Sequence, residues 1–263
     1  MRDLAEFDAF SDRLAGGFAG VPGAHGLVFL GSAAAGHRRD RWSDHDFLAL
    51  VEEEHVESAR ANLDWLPDPQ RVLCVAREGE LGFSVLYDDG HVLEFAVGTT
   101  KELAAAPLDE AKLMFGDPRM RDFVDAGQDR LAALPAIDPA NEVALAYIKL
   151  LIGYGRACRG ERIAAGRFVR GWAVDHLLRA IRARVLPAGA ARSDPLDPSR
   201  RFDAAYPHIA TQLDHALAQP IEQSARDVAL LARVVLEHGW KEFPAMTAER
   251  VQSLLRSSGN APS

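Results

Sequence analysis

Two aspartates near the start of the chain, Asp44 and Asp46, have the types and spacing that most clearly suggest chemistry. They open an apolar run, residues 47–51, which reads as a strand. Because side chains at positions i and i+2 of a strand point to the same face, both carboxylates are expected to project together, with His45 on the opposite face. Adjacent carboxylates repel each other unless a cation joins them, and Mg²⁺ suits such oxygen ligands. The pair therefore predicts a magnesium site.

A Gly-Ser turn precedes the two aspartates. The apolar run 28–30 stops at Gly31-Ser32, and the small residues after it can begin a helix. Backbone N–H groups at the start of a helix can bind an anion such as phosphate. An isolated Asp-x-Asp is also compatible with a solvated turn, but here a strand and a Gly-Ser turn precede it and a strand follows it. That context favours a site in which the turn holds a phosphate chain and the metal bridges it.

The pattern of Gly31-Ser32, eleven intervening residues and Asp44-x-Asp46 resembles the signature of the DNA polymerase β-like nucleotidyltransferase superfamily. It is similar in particular to the antibiotic-modifying branch, the kanamycin-, streptomycin- and lincosamide-type enzymes. The resemblance is sharp over residues 27–51, looser to about Asp117 and architectural beyond it. It implies an α+β chain, with an N-terminal mixed-sheet catalytic domain followed by a C-terminal helical bundle.

The same resemblance implies an activity and a set of ligands. The enzyme would use Mg²⁺ to move a nucleoside monophosphate, AMP from ATP, to a hydroxyl of a small molecule such as an aminoglycoside or a lincosamide. Asp44 and Asp46 would hold the metal against the phosphates. Gly31 and Ser32 would bind the β- and γ-phosphates through backbone N–H and hydroxyl groups.

A third acid, Glu94, lies within the strand-like run 92–97. A carboxylate between Leu93 and Phe95 is costly to bury unless it is paired or liganded, although an edge-strand glutamate that faces water is the alternative. The resemblance implies a third carboxylate on a later strand, which completes the metal site or removes a proton from the acceptor hydroxyl. Glu94 matches that place. Turn positions explain the other nearby acids more simply, namely Glu80, Asp88 and Asp89.

Apolar spacing and turn residues predict the elements that must position these side chains. In the first half, helices are predicted over residues 3–18, 52–66, 101–106, 108–114 and 119–134, and strands over 28–30, 47–51, 71–76, 83–87 and 92–97. Residues 113–118 resemble the short strand and turn that close the sheet in the family. In the second half, helices are predicted over 141–159, 166–186, 202–218, 221–239 and 247–256.

The proline-bounded segment 135–139 is the predicted domain boundary. It separates a catalytic domain, residues 1–135, from a helical substrate-binding domain, residues 140–256, and a disordered tail, residues 257–263. Lys149 lies in the strongly apolar first helix of the second domain, where snorkelling to the surface is one explanation for a lysine. The resemblance implies the other, because a lysine on that helix reaches the triphosphate in the family. Further cleft candidates are Tyr147, Arg156 and Asp175.

An alternative function comes from Arg170 and His176, whose spacing resembles the arginine–histidine signature of HEPN ribonucleases. Those domains accompany minimal nucleotidyltransferases in toxin–antitoxin pairs, which implies a protein-adenylylating or antitoxin-like chain. A surface arginine and a core or capping histidine explain the same pattern. A nucleotide-binding module without catalysis is a third possibility, which the presence of all the motif acids disfavours.

Charge and composition restrict the partners. Residues 1–135 carry 13 Lys and Arg against 25 Asp and Glu, a net charge of −12, whereas the remainder carries 17 against 13, a net charge of +4. An acidic catalytic half fits a small, cationic substrate better than a nucleic acid. No apolar run approaches a membrane span, and the acidic N-terminus does not read as a signal peptide. The expected protein is a cytoplasmic monomer or homodimer that binds a nucleoside triphosphate and a small hydroxyl acceptor. Its two cysteines, Cys74 and Cys158, are expected to be buried or idle thiols.

Overall fold

The computed structural model describes residues 4–189 and 194–257. The chain divides into two compact units, Met1–Leu134 and Pro135–Ser263. Strands and helices mix in the first unit, and the described residues of the second unit form helices and loops, so the chain is α+β. Residues 258–263 of the predicted tail, and residues 190–193, lie outside the described residues. None of the described helices is both long enough and apolar enough to cross a membrane.

The first unit is organised around a mixed sheet. Its helices are α1 (Leu4–Ala19), α2 (Gly31–Ala34), α3 (Val56–Ala61) and α4 (Pro118–Ala132). Its strands are β1 (Ala24–Leu30), β2 (His45–Val51), β3 (Val72–Glu78), β4 (Gly82–Tyr87), β5 (Val92–Gly98) and β6 (Ala111–Gly116). The sheet order in the described residues is β3-β4-β5-β2-β1-β6. Strands β2 and β5 are parallel, and the other neighbours are antiparallel.

Strand β2 lies between β1 and β5 and is covered on both faces. Phe47 and Ala49 belong to the core that includes Phe7, Phe10 and Leu14 of α1. Leu48 and Leu50 belong to the core on the other face, which includes Met120 and Val124 of α4. A strand buried on both faces is apolar throughout, which explains the uninterrupted run 47–51. The two aspartates stand where that run begins.

Two predicted helices of the first unit are wrong. Residues 101–105 form turns, and the region predicted as a helix over 108–114 contributes strand β6, which pairs antiparallel with β1. The reason is tertiary, because the free edge of β1 needs a hydrogen-bonding partner, and pairing with it outweighs the modest helix propensity of the alanines and leucines. The strand implied by the resemblance at 113–118 is the better description. Helix α3 is also shorter than the predicted 52–66.

The second unit is built from helices. They are α5 (Pro139–Cys158), α6 (Arg162–Gly166), α7 (Ala173–Arg184), α8 (Phe202–Ala205), α9 (Pro207–Ala218), α10 (Ile221–Leu236) and α11 (Ala245–Ser257). A π-helical segment, Arg167–Trp172, joins α6 to α7. Helix α5 contacts α7, α10 and α11, and the Tyr147 hydroxyl donates to the Ala229 carbonyl oxygen at 2.9 Å. The predicted helix 202–218 is divided at Pro207, which begins α9 because proline fits the first position of a helix.

Gly153 lets α5 and the π-helical segment approach closely. A Cβ added at Gly153 would lie 2.6 Å from Val169 Cγ2 and 2.9 Å from Phe168 Cβ, whereas a Cβ at Gly155 would meet its nearest neighbour at 3.6 Å. We therefore expect Gly153→Ala to lower the free energy of unfolding by about 1–3 kcal/mol through overpacking. Gly155→Ala in the same helix is the control and should raise that free energy by about 0.5–1 kcal/mol. Denaturant unfolding of both variants measures the difference, and equal effects would contradict this packing account.

Both cysteines are exposed, so of the two predicted states, buried or idle, the buried one is excluded. Cys74 lies in β3, which forms one edge of the sheet and is exposed from Leu73 onward. Cys158 is the last residue of α5. Both thiols are free.

Candidate functional site

The site is centred on three carboxylates that the sheet brings together. Asp46 of β2 and Glu94 of β5 are direct partners in the parallel register, and Asp44 lies two residues before Asp46. Carboxylate oxygens of Asp44, Asp46 and Glu94 all lie within 4.8 Å of one another. Asp44 and Asp46 are half-buried, whereas Glu94 is exposed. Asp44 and Asp46 are thus partly enclosed by the protein, while Glu94 faces solvent.

Aromatic packing on the reverse face of the sheet supports this register. The ring of Phe47 stacks on that of Phe95 with centroids 4.6 Å apart and an interplanar angle of 5°. Phe83 of β4 continues the stack, 5.1 Å from Phe95. Cross-strand aromatic pairs stabilise one alignment of neighbouring strands over a slipped one. Since Phe47 and Phe95 follow the two acids directly, the alignment that pairs them also pairs Asp46 with Glu94.

Gly31 brings the Gly-Ser turn against Asp46. Its φ angle is +52°, in the left-handed region that favours glycine, and an added Cβ would lie 3.2 Å from Asp46 Oδ2. The Gly31 N–H donates to the Glu110 carbonyl oxygen at 3.0 Å. That N–H is therefore already used within the fold, which is a departure from the expected phosphate contact. Ser32 is the residue of the Gly-Ser turn that can bind an anion, since the Ala35 N–H further along is also used, donating to the Gly31 carbonyl oxygen at 3.0 Å.

Arg39 fixes the position of the turn, although in the sequence it is only one member of a basic, hydrophilic segment. Its guanidinium donates to the carbonyl oxygens of Ser32 at 3.2 Å and Ala33 at 2.7 Å. It also forms an ion pair with Asp8 of α1 and lies over the Phe7 ring. Arg39 is thus a positioning residue that ties helix α2 to helix α1.

The acidic character of this face extends beyond the three carboxylates. Ser84 of β4 is the register partner of Glu94, and its hydroxyl donates to the carboxylate of Glu78 on β3. Glu78 is exposed. The face therefore carries acids from β2 to the edge strand, a charge distribution that attracts cations.

Glu52, Glu54 and His55 form a second group whose potential ligand atoms lie within 4.8 Å of one another. Both glutamates are exposed, as is common for acids in a turn. The Gly-Ser turn lies instead against Asp46, so the group around Asp46 is the stronger candidate.

Lys149 belongs to the helical unit and is half-buried on α5. Its Nζ lies 6.0 Å from the ring centroid of Phe168 and 5.9 Å from that of Trp172, both in the π-helical segment. Arg167 also lies over the Trp172 ring, with its Cζ 5.3 Å from the centroid. Among the described residues, no carboxylate forms an ion pair with Lys149. Its ammonium group is therefore available to an anionic ligand.

Arg170 and His176, the pair that suggested a ribonuclease, each have a partner in the helical unit. Arg170 Nη2 donates to the Gln219 carbonyl oxygen at 2.6 Å. His176 Nδ1 lies 2.8 Å from Glu142 Oε2. These contacts fit the structural explanation of the pattern.

Gly31 offers a test of the close approach between the turn and the carboxylates. We expect Gly31→Ala to lower the turnover of a reaction at this site by roughly tenfold, because a φ of +52° strains any residue with a Cβ and the added Cβ also pushes against Asp46 Oδ2. Gly36→Ala, just after α2, is the control, since its Cβ would meet ordinary contacts from 3.5 Å outward and its φ is not positive. Steady-state kinetics compare the two, and equal turnover in both variants would show that the Gly31 contact is unimportant.

Comparison with known proteins finds no matching family model and no matching curated protein. Among solved structures, the chain is similar to an aminoglycoside 6-adenyltransferase from Bacillus subtilis, at 14% sequence identity. That alignment covers 99% of this chain and 100% of the other, with a TM-score of 0.34. So distant a likeness leaves the function to be inferred from the residues of the site.

Proposed function

We propose that the protein is a Mg²⁺-dependent nucleotidyltransferase that moves AMP from ATP to a hydroxyl of a small molecule. One observation carries this proposal. Asp44, Asp46 and Glu94 have carboxylate oxygens within 4.8 Å of one another, and Gly31 of the Gly-Ser turn lies against Asp46. A phosphate-binding turn beside grouped carboxylates is the arrangement that transfer from a nucleoside triphosphate requires.

The donor set fits magnesium. All three side chains are carboxylates, whose oxygens Mg²⁺ prefers, and the exposure of Glu94 leaves one side open to water and phosphate oxygens. Asp44 and Asp46 would hold the ion, because they are fixed at the start of a central strand. When bound, the ion would neutralise charge on the phosphates and stabilise the charge that develops during transfer.

The protein's own groups supply positioning and proton transfer. Ser32, through its hydroxyl and backbone N–H, would hold the β- and γ-phosphates, with Gly31 leaving the room for their approach. Glu94 would accept the proton of the acceptor hydroxyl at a carboxylate oxygen. The acceptor oxygen then forms a bond to the α-phosphorus as the bond from that phosphorus to the bridging oxygen breaks, and pyrophosphate leaves.

The acceptor is inferred from charge. The acids from β2 to β3, including Glu78, favour a cationic molecule over an anionic one. Aminoglycosides carry several amines and hydroxyls, and lincosamides carry an amine and hydroxyls, so both classes have the required groups. An antibiotic acceptor would make this a resistance enzyme.

Lys149 is proposed as a second phosphate-binding group. This role is supported by the half-buried Lys149, whose ammonium group has rings rather than carboxylates as its contacts in the described part of the chain. Arg167 beside the same tryptophan adds positive charge. The negative charge of a triphosphate complements the positive charges of Lys149 and Arg167.

Pyrophosphate release tests the proposal. Purified protein is incubated with ATP and Mg²⁺ across a panel of aminoglycosides and lincosamides, and released pyrophosphate is measured. Release that depends on one drug class supports the assignment and names the substrate. ATP binding without release across the panel points to a different acceptor, including a protein that becomes adenylylated. Absence of ATP binding contradicts the proposal.

A further inference from the structure

A buried histidine pair lies directly behind the three carboxylates. His45, between Asp44 and Asp46, is 0% exposed, and His91 is 4% exposed. His45 Nε2 lies 2.8 Å from the Ser11 Oγ of α1, and His45 Nδ1 lies 2.8 Å from His91 Nε2. Both ring nitrogens of His45 are therefore within hydrogen-bonding distance of a polar atom inside an otherwise apolar core.

The direction of these hydrogen bonds follows from Ser11. Its hydroxyl donates to the Phe7 carbonyl oxygen at 3.0 Å, so its oxygen accepts from Nε2–H of His45. In the neutral imidazole that carries its proton on Nε2, His45 Nδ1 is then the acceptor for Nε2–H of His91. The result is a chain of donors and acceptors that runs from His91 through His45 and Ser11 to helix α1.

Aromatic rings fix His45 in place. Phe7 stacks on the imidazole with centroids 3.8 Å apart and an interplanar angle of 14°. Phe10 and Phe29 contact the same ring from other sides. Burying an imidazole among aromatic rings costs free energy unless its nitrogens are hydrogen-bonded. The hydrogen bonds to Ser11 and His91 therefore make the burial of His45 among Phe7, Phe10 and Phe29 possible.

The pair joins the two strands that carry the acids. His45 is the register partner of Leu93, and His91 lies two residues before Leu93 on the same face. The next register pair along the strands is Asp46 with Glu94. The His45–His91 hydrogen bond thus ties β2 to the segment entering β5 one step away from the carboxylates, while Ser11 ties β2 to α1.

We propose that His45 and His91 are positioning residues that set the spacing of Asp44, Asp46 and Glu94 for metal binding. This inference rests on the proposed function, because it assumes that the carboxylates hold a divalent ion. Apolar packing alone would bury this face of the sheet, but a hydrogen bond is directional and fixes the distance between two strand ends. The effect on the metal is indirect, as for groups that orient ligands from behind.

Mn²⁺ serves as the probe, with the free ion measured by electron paramagnetic resonance on the full-length protein, and melting temperature recorded alongside. His91→Phe keeps the ring volume but removes the donor to His45, and we expect about a tenfold weaker Mn²⁺ affinity. His91→Gln keeps an N–H donor and should recover most of that loss. Phe18→Leu is the control, because Phe18 lies in the same core at the other end of α1, against Trp65 and Phe115.

The outcomes separate a positioning role from ordinary core packing. The proposal is supported if His91→Phe binds Mn²⁺ more weakly, His91→Gln recovers most of the lost affinity, and Phe18→Leu binds as the wild type does. Unchanged binding in His91→Phe, or equal weakening in Phe18→Leu at a similar melting temperature, overturns it while leaving the proposed function intact. If His91→Phe does not fold, His91→Ala takes its place. The proposal is then overturned if His91→Ala binds Mn²⁺ with wild-type affinity, or if His91→Gln binds Mn²⁺ no more tightly than His91→Ala. Failure of the wild-type protein to bind Mn²⁺ overturns both.

Discussion

Asp46→Asn is expected to lower nucleotidyl transfer by about a thousandfold or more, because a central metal ligand supplies several kcal/mol of transition-state stabilisation. Asp46 occupies the middle of the site, with Leu30 as its partner on β1 and Glu94 as its partner on β5. The amide keeps the shape of the side chain but removes the negative charge. Single-turnover rates at saturating ATP and Mg²⁺ measure the loss, and the melting temperature reports whether the fold is kept.

Asp122→Asn is the matched control for that substitution, since Asp122 is an exposed aspartate on α4. It makes the same change in charge and size and should retain the wild-type rate. An Asp46→Asn protein that turns over at the wild-type rate would remove the basis for the metal site.

Glu94→Gln is expected to lower kcat by about 10²- to 10⁴-fold, the usual contribution of a general base. Glu94 is the exposed member of the three acids, on the side from which an acceptor can approach, whereas Asp44 and Asp46 are half-buried. We therefore expect Glu94→Gln to weaken Mn²⁺ binding less than Asp46→Asn does. Parallel measurements of kcat and Mn²⁺ affinity in both variants test this division of roles.

Glu78→Gln is the control on the same face, because Glu78 contacts Ser84, the register partner of Glu94. It should retain kcat even if it raises KM for a cationic acceptor. If Glu94→Gln loses as much Mn²⁺ affinity as Asp46→Asn or more, Glu94 is a metal ligand rather than the general base.

The sequence predicted the carboxylate strand well because its signal is local. Alternation predicts Asp44 and Asp46 on one face and His45 on the other. In the structure the carboxylates of Asp44, directly before β2, and Asp46 lie together, while His45 is buried against Phe7 of α1. The strand order implied by the resemblance was enough to select Glu94, which pairs with Asp46. Most helices of the second unit were also predicted, since long amphipathic patterns leave few alternatives.

Interactions between distant segments could not be predicted in the same way. Apolar spacing predicts a helix over 108–114, whereas β6 forms there because its place beside β1 depends on the sheet edge that it covers. Arg39 looked like one member of a solvated basic run, although its guanidinium binds the carbonyl oxygens of the Gly-Ser turn. His91 lies 46 positions from its partner His45, and a lone histidine after a turn carries no signal of that contact.

The most direct test of nucleotidyl transfer is to follow each phosphorus of ATP separately. The protein is incubated with Mg²⁺, an acceptor that elicits turnover, and ATP labelled at either the α- or the γ-phosphorus. The account predicts that the α-label moves to the acceptor while the γ-label leaves in pyrophosphate, and that Asp46→Asn abolishes both. Transfer of the γ-label to the acceptor with formation of ADP would make the protein a kinase and contradict the central claim.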